Sequence, residues 1–548
     1  MLIPGRPTLR VEWLAGLVAM YCIALGNGSW WAAVTAERNP GDASTWLFVA
    51  CCFVALTALT FVLLVVPATR WSVKPWLTLI VIATSFAVFY MRTYNVLLDP
   101  SMLRNVLRTD LRESRELLSW SLAWQVTLWS LLPVALIWWV RIARPPVLRS
   151  ALWRIGAIVA ALVLALAALL PISRDLTSLI RNQREVRYLI TPGNFIISLI
   201  RTAAADARTA GAPRQVIGAD AHRDAPPAAP MGAAGRKPRV FVFVLGETAR
   251  AANFSLYGYA RNTNPELSTL DIVAFRDVTA CGTSTEVSVP CMFSAWGRAD
   301  YDEDRIRQSE GLLNVLAHAG VDVSWIDNQS GCKGVCEGAG IRSRKLDAQF
   351  ASDLCRGEDC FDEILVRGLE ADLDAVKADT FIVLHMLGNH GPAYFRRYPD
   401  AFRRFTPDCQ SAELRRCSRE EVVNAFDNAL LYTDHVLAEV TRLLARRSDR
   451  LDTAMLYVSD HGESLGENGF YLHGIPYAIA PDFQTRVPMI WWQSAGFGAA
   501  SRIDAPCLRA RAGEALSHDN LFHSMLGLFD VETQVYRRQR DLFAPCRR

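Results

Sequence analysis

Five apolar runs, at roughly 11–34, 46–66, 76–97, 120–140 and 151–171, fill the first third of this 548-residue chain. A helix of about 20 apolar residues crosses ~30 Å of hydrocarbon, and each run has about that length. They predict a transmembrane domain of five helices over residues 1–171. The first run is broken by Gly26, Asn27 and Gly28. A cleaved signal peptide is its alternative reading, but the run is long and lacks a clear small-residue cleavage site. Twelve of the 16 Trp lie at or before Trp153. Trp30, Trp31, Trp46, Trp76, Trp120, Trp138 and Trp139 fall near run ends, where amphipathic indoles settle at a membrane–water interface.

Charge sets the orientation. Arg6 and Arg10 precede the first run, Arg70 and Lys74 separate the second and third, and Arg141, Arg144 and Arg149 separate the fourth and fifth. The loop after the first run mixes Arg38 with Glu37 and Asp42. Positive loops stay inside, so the N-terminus is expected in the cytoplasm and residue 172 onward outside. Segment 98–119 carries Arg104, Arg108, Arg112 and Arg115 with Asp99, Asp110, Glu113 and Glu116. It reads as an amphipathic helix on the outer face or as a solvated loop. The net charge of +3 argues against a nucleic-acid partner drawn by a basic field. A hydrophobic content of 51% excludes a disordered chain.

Cysteine gives a second view of the compartment. Cys22, Cys51 and Cys52 lie in the membrane runs, and the other ten lie at or after Cys281. Ten cysteines at short spacings suit disulfides in an oxidising space. Neighbour pairing gives 281–291, 332–336, 355–360 and 409–417, leaving 507–546. The competing reading is a zinc–thiolate site of Cys332, Cys336, Cys355 and Cys360.

Residues 172–236 read as a membrane-surface helix, with Arg174, Arg181, Arg184 and Arg187 among Leu176, Leu179, Ile180 and Leu189, followed by a flexible linker from 203. Residues 237–548 then alternate apolar strands with helical periodicity. Arg239–Gly246, Val321–Ile326, Thr380–Met386, Ala454–Val458 and Val487–Trp492 are the strands; 309–319, 362–377 and 419–446 are helical. Uninterrupted apolar strands between helices indicate an α/β domain with a mainly parallel sheet covered on both faces.

In such sheets ligands bind at the carboxyl ends of the strands. There the sequence places Glu247, then Asp327-Asn328-Gln329, then Asn389-His390, then Asp460-His461-Gly462-Glu463. Carboxylates and imidazoles brought to one edge, with His473 nearby, make a site for a divalent metal, and zinc accepts such N and O donors. A hydroxyl nucleophile could come from Thr283, Ser284, Thr285 or Ser288, bracketed by Cys281 and Cys291. Lys333 stands between Cys332 and Cys336 in a chain with few lysines. His385 reads as a buried strand histidine and His435 as a helix residue.

The segments GETARAANFSLYGYARNTNP (246–265), CGTSTEVSVPCMFS (281–294), DNQSGCKGVC (327–336), GNHGP (388–392) and SDHGESLGENGFYLHG (459–474) carry a resemblance. They resemble the membrane phosphoethanolamine transferases of Gram-negative bacteria, the family of lipid A modification and polymyxin resistance. The resemblance implies an alkaline-phosphatase-like domain in the periplasm, anchored in the inner membrane by five helices, and acting as a monomer. It implies Thr285 as nucleophile and a zinc ion held by Glu247, Thr285, Asp460 and His461. His390 and His473 would hold the phosphoryl group or a second zinc. Lys333, Asn328, Gln329 and Glu463 would complete the substrate wall, Glu463 from behind. Phosphatidylethanolamine would be the donor, with a covalent phosphothreonine-type intermediate, and a lipid A phosphate the acceptor. A heptose or Kdo hydroxyl of the lipopolysaccharide core is the other acceptor. A phosphodiesterase or sulfatase-like hydrolase is the competing activity, although CGTST lacks the CxPxR-type sulfatase motif. Glu286 departs from the family pattern, which has a small residue after the threonine, and suggests tuning of the acceptor pocket.

Overall fold

The computed structural model describes residues 6–36, 38–109, 111–182, 184–209, 213–223, 236–357 and 359–548. The chain divides into two compact units, Met1–Val106 with Leu118–Ala204, and Leu107–Leu117 with Ala205–Arg548. These boundaries differ from those expected from composition. Leu107–Leu117, taken from between two apolar runs, groups with the distal unit, and that unit starts at Ala205 rather than near 237.

In the first unit Ala43–Val65, Val73–Tyr94, Trp120–Trp139 and Val147–Leu169 are helices within segments long and apolar enough to span a membrane. Val11–Leu25 and Gly28–Thr35 make a fifth span if counted together, bent by 55°. Trp120, Trp124, Leu131 and Leu132 are exposed, as expected where lipid replaces water as the solvent. Ser173–Asn182 follows as a short helix, with Leu176 and Leu179 packed against the cluster of Trp30 and Phe48.

The bend has an identifiable cause. Gly26-Asn27-Gly28 interrupts the helix, and the freed backbone groups need partners because lipid supplies none. Asn27 provides them. Its Nδ2 donates to the Cys22 carbonyl at 2.9 Å and to the Thr191 carbonyl at 2.7 Å, and its Oδ1 accepts from the Thr191 N–H at 2.8 Å. The Thr191 hydroxyl donates to the Gly26 carbonyl at 2.7 Å. Asn27→Ala leaves the Thr191 N–H and carbonyl unmatched and is expected to cost roughly 1–3 kcal/mol. A thermal melt in detergent micelles that matches wild type would refute this.

In the second unit seven strands form one sheet: β1 Arg239–Gly246, β2 Val273–Phe275, β3 Asp322–Asp327, β4 Ile341–Lys345, β5 Thr380–His385, β6 Asp452–Ser459 and β7 Met489–Gln493. Their order is β2-β7-β6-β1-β5-β3-β4, and only β7 runs against its neighbours. Side chains alternate across a strand, so Phe241, Phe243 and Leu245 of β1 enter one core and Val240, Val242 and Val244 the other. Helices Leu312–His318 and Leu521–Leu528 cover the first face; Glu363–Ala375 and Arg419–Arg446 cover the second. The β4 strand escaped the sequence reading because its IRSRK carries one apolar residue and lies at the solvent edge.

The five disulfides join Cys281–Cys291, Cys332–Cys336, Cys355–Cys360, Cys409–Cys417 and Cys507–Cys546. The zinc–thiolate reading therefore falls, since its four sulfurs are consumed in two bridges. The expected linker is narrowed too. Within it, 213–223 is built into the second unit: Gln215 bridges Ser309, His222 bridges Glu532, and Ile217 and Ala221 join the sheet core. Of the rest of that linker, 203–209 is the end of the helix Gly193–Thr209, while 210–212 and 224–235 lie outside the described residues, as do Glu37 and Asp110.

Candidate active site

The parallel register decides what meets at the carboxyl edge. Ser459 of β6 pairs with Gly246 of β1, and His385 of β5 pairs with Leu245 and Asp327. The next residues, Asp460, Glu247 and Asn328, therefore leave the sheet side by side. Thr248 follows Glu247 with a left-handed backbone (φ 59°), a conformation that costs a threonine energy and concentrates at functional sites. Gly388 has φ 54°, and a Cβ there would lie 2.7 Å from the Glu247 carbonyl oxygen. Only glycine lets the GNHGP loop approach so closely, and Asn389 N–H then donates to that carbonyl.

Glu247, Asp460 and His461 are almost wholly buried. Their ligand atoms lie within 4.8 Å of one another. His461 Nε2 is 3.3 Å from Glu247 Oε1 and 3.3 Å from Asp460 Oδ2. The Asp460 Oδ1 accepts from the N–H groups of Thr248 and His461, while its Oδ2 is buried with no hydrogen-bond partner among the described residues. Burial alone would lower the His461 imidazole, but the Asp460 and Glu247 carboxylates outweigh it and push it up. Burial would likewise raise Glu247, yet its hydrogen bond with His461 holds it well below the usual range. Two buried carboxylates beside one imidazole demand a compensating cation. The orphaned Asp460 oxygen and the N/O donor set fit a zinc ion.

Thr285 completes the group. Its Oγ1 lies 3.0 and 3.2 Å from the two Glu247 oxygens and 3.3 Å from His461 Nε2. The other hydroxyls with a recorded bond face elsewhere: Thr283 donates to the Ile475 carbonyl at 2.7 Å, and Ser288 to the Asp460 carbonyl at 2.5 Å. Thr285 opens the helix Thr285–Met292, where unpaired N–H groups and the helix dipole favour negative charge.

The remaining expected residues divide. Gln329 Nε2 donates to Glu247 Oε2 at 3.0 Å and belongs to the group. His473 does too, with its ring 4.3 Å from that of His461 and 5.7 Å from that of His390. Burial pushes the His390 imidazole down to about 4, so it is neutral at physiological pH. Glu463 stands behind His473, as expected. It is fully buried, takes 3.0 Å and 2.8 Å hydrogen bonds from His473 Nδ1 and the Tyr394 hydroxyl, and fixes which nitrogen His473 presents. Asn328 bonds to a different set of groups. Its Nδ2 donates to the Cys360 carbonyl and to Asp362, which in turn accepts from the Leu387 and Gly388 N–H groups. It supports the GNHGP loop from behind. Lys333, at φ 49°, donates to Ser330 Oγ at 2.7 Å and lines a cavity of about 680 Å3. His385 Nδ1 is 2.7 Å from Asp327, and His435 pairs with Glu266 and Glu363, so both are structural.

His518 was not found from sequence. Its Nδ1 accepts from the Cys281 N–H at 3.1 Å and its Nε2 donates to the Ser459 carbonyl at 3.0 Å. Burial pushes it down to about 3, so the ring is neutral and joins the nucleophile loop to the end of β6. No local spacing signals a bond that spans 237 residues.

A buried acid–acid–imidazole cluster facing a hydroxyl at a helix N-terminus, on the carboxyl edge of a mainly parallel sheet, defines an alkaline-phosphatase-like group-transfer enzyme. Residues 239–531 match the family described as Sulfatase, and residues 56–207 match the one described as Phosphoethanolamine transferase EptA/EptB. The chain is 36% identical over 99% of its length, and 98% of the relative's, to the phosphoethanolamine transferase EptA of Salmonella typhimurium. It is 35% identical to the phosphatidylethanolamine transferase Mcr-1 of Escherichia coli over 94% of each chain. The solved integral membrane lipooligosaccharide phosphoethanolamine transferase A of Neisseria meningitidis superposes with a TM-score of 0.92 at 35% identity, covering 99% of this chain and 100% of that one. The chain belongs to the membrane phosphoethanolamine transferase family.

Proposed function

We infer that this chain moves phosphoethanolamine from phosphatidylethanolamine to a phosphate group of lipid A, working on the periplasmic face of a bacterial inner membrane with its N-terminus in the cytoplasm. The Thr285 hydroxyl, set between Glu247 and His461, carries this reading. Glu247, Asp460 and His461, with Thr285, would hold one zinc ion. When bound, zinc eases negative charge on the threonine oxygen and on the phosphoryl group.

Thr285 Oγ forms a bond to the donor phosphorus as the bond to the diacylglycerol oxygen breaks. The hydroxyl proton has an acceptor in Glu247, 3.0 Å away. Diacylglycerol leaves with a proton, and phosphoethanolamine stays on Thr285 as a diester. The acceptor oxygen displaces it in the reverse sense and returns the threonine hydroxyl. His473, fixed by Glu463, and neutral His390 present ring N–H groups to the phosphoryl oxygens, and Lys333 adds positive charge on the cavity side. A second zinc at His390 and His473 is the other use of that pair.

Mass spectrometry of lipid A and core from cells making the chain tests the acceptor. Added phosphoethanolamine on the lipid A phosphates is expected. Its appearance only on a heptose or Kdo unit would move the acceptor to the core. Consumption of phosphatidylethanolamine with no modified acceptor would make the chain a hydrolase.

A further inference from the structure

Glu286 does not face the acceptor as a loose carboxylate. It is 1% exposed, and its Oε1 accepts from Arg108 at 2.6 Å and from Arg307 at 2.9 Å. Arg307 also donates to the Glu286 backbone carbonyl and is itself held by Glu303. The suggestion that Glu286 sets acceptor electrostatics is therefore replaced by a mechanical one. Arg108 belongs to Leu107–Leu117, the early segment that groups with the sheet unit. The other end of that segment is fixed as well. Glu116 is buried and pairs with Arg397, whose Nε donates to the His390 carbonyl at 2.7 Å. One end of the segment thus grips the residue after the nucleophile, and the other grips a residue that holds His390.

Arg108 and Glu286 line the cavity of about 680 Å3 that also contains Ser330 and Lys333. The arginines of this cavity are each answered by a carboxylate. Lys333 makes no ion pair among the described residues, so it is the charge left for an anionic substrate.

We propose that the Arg108–Glu286 pair is a clamp that holds Arg108 in the wall of the donor cavity, making Glu286 a positioning residue for a lipid-borne phosphodiester. This rests on the transferase reading above. A large donor is aligned by contacts remote from the phosphorus, whereas a small diester reaches the nucleophile without them. Loss of the clamp should therefore raise KM for the lipid and spare the chemistry.

The test uses the full chain in detergent micelles with two donors, phosphatidylethanolamine and a water-soluble p-nitrophenyl diester of phosphoethanolamine. Arg108→Ala, at a side chain 40% exposed, removes the clamp and leaves Glu286 its partner Arg307. Glu286→Gln removes it from the other side. Both are expected to raise KM for the lipid by about tenfold or more, with turnover of the soluble diester within about twofold of wild type. The exchanged pair Arg108→Glu with Glu286→Arg should recover part of the lipid KM. An unchanged lipid KM in Arg108→Ala overturns the clamp, and so does an equal fall on both donors. A wild type that consumes neither donor overturns the transferase reading and the clamp together, a result distinct from those two.

Discussion

Thr285→Ala abolishes modification of lipid A, reducing transfer by about 10⁴-fold or more, the scale seen when a covalent nucleophile is deleted. The expectation follows from position. Of the hydroxyls in the 281–291 loop, the one recorded against both Glu247 and His461 is Thr285. Ser288 is spent on the Asp460 carbonyl and Thr283 on that of Ile475, so neither is placed to substitute. Thr285→Ser keeps the oxygen and is expected to retain measurable transfer. Because Glu247, Asp460 and His461 remain, the alanine variant should still bind zinc, read by elemental analysis of the purified protein. Wild-type levels of phosphoethanolamine on lipid A from Thr285→Ala would end the covalent mechanism.

The largest effect on stability is expected at Asp379. Its carboxylate is wholly buried and accepts from Arg236 at 2.7 and 2.8 Å, from Arg223 at 2.8 Å and from the Arg239 backbone at 2.9 Å. It joins segment 213–223 to the starts of β1 and β5. Burial would raise this carboxyl, but Arg236 and Arg239 outweigh it and hold it at about 2. Asp379→Ala removes the carboxylate shared by the Arg223, Arg236 and Arg239 guanidinium groups, with Asp530 still beside Arg239. Breaking a buried pair from one side costs about 3–5 kcal/mol, which lowers the melting midpoint by roughly 5–10 °C. The sign with pH follows from the lowered value. The contribution is complete above the ordinary carboxylate pKa of about 3.9 and fades as pH falls toward about 2. The difference between wild type and variant should therefore narrow only in strong acid. Calorimetric midpoints that coincide at neutral pH would remove Asp379 from the framework.

Much of this was legible because it is local. An apolar run of membrane length and an unbroken strand such as RVFVFVLG announce themselves within one window, and parallel strands deliver their last residues to one edge. That brings Glu247, Asp460 and His461 together from the sequence alone. What stayed hidden depends on which way a side chain turns or on partners far along the chain. Asn328 shares the edge with Gln329, yet alternation sends it into the core behind the site. His518 and the clamp at Glu286 are made by residues more than 170 positions apart. Segment 213–223 looks like linker by composition because it is held by backbone bridges and a few small apolar residues rather than by an apolar stripe.

The early segment also imposes an order of assembly. Arg108 leaves the ribosome 178 residues before Glu286, and Glu116 281 residues before Arg397. The segment is thus made between two membrane-length helices long before the sheet that receives it exists. Closing chain loops of that size is entropically costly and comes late in folding. A fragment cut at Ala205 would keep every strand of the seven-stranded sheet and every residue of the metal cluster, yet leave Arg397 without Glu116 and Glu286 with Arg307 alone. Work on such a fragment would report the chemistry of Thr285 while omitting the Arg108 clamp on its neighbour.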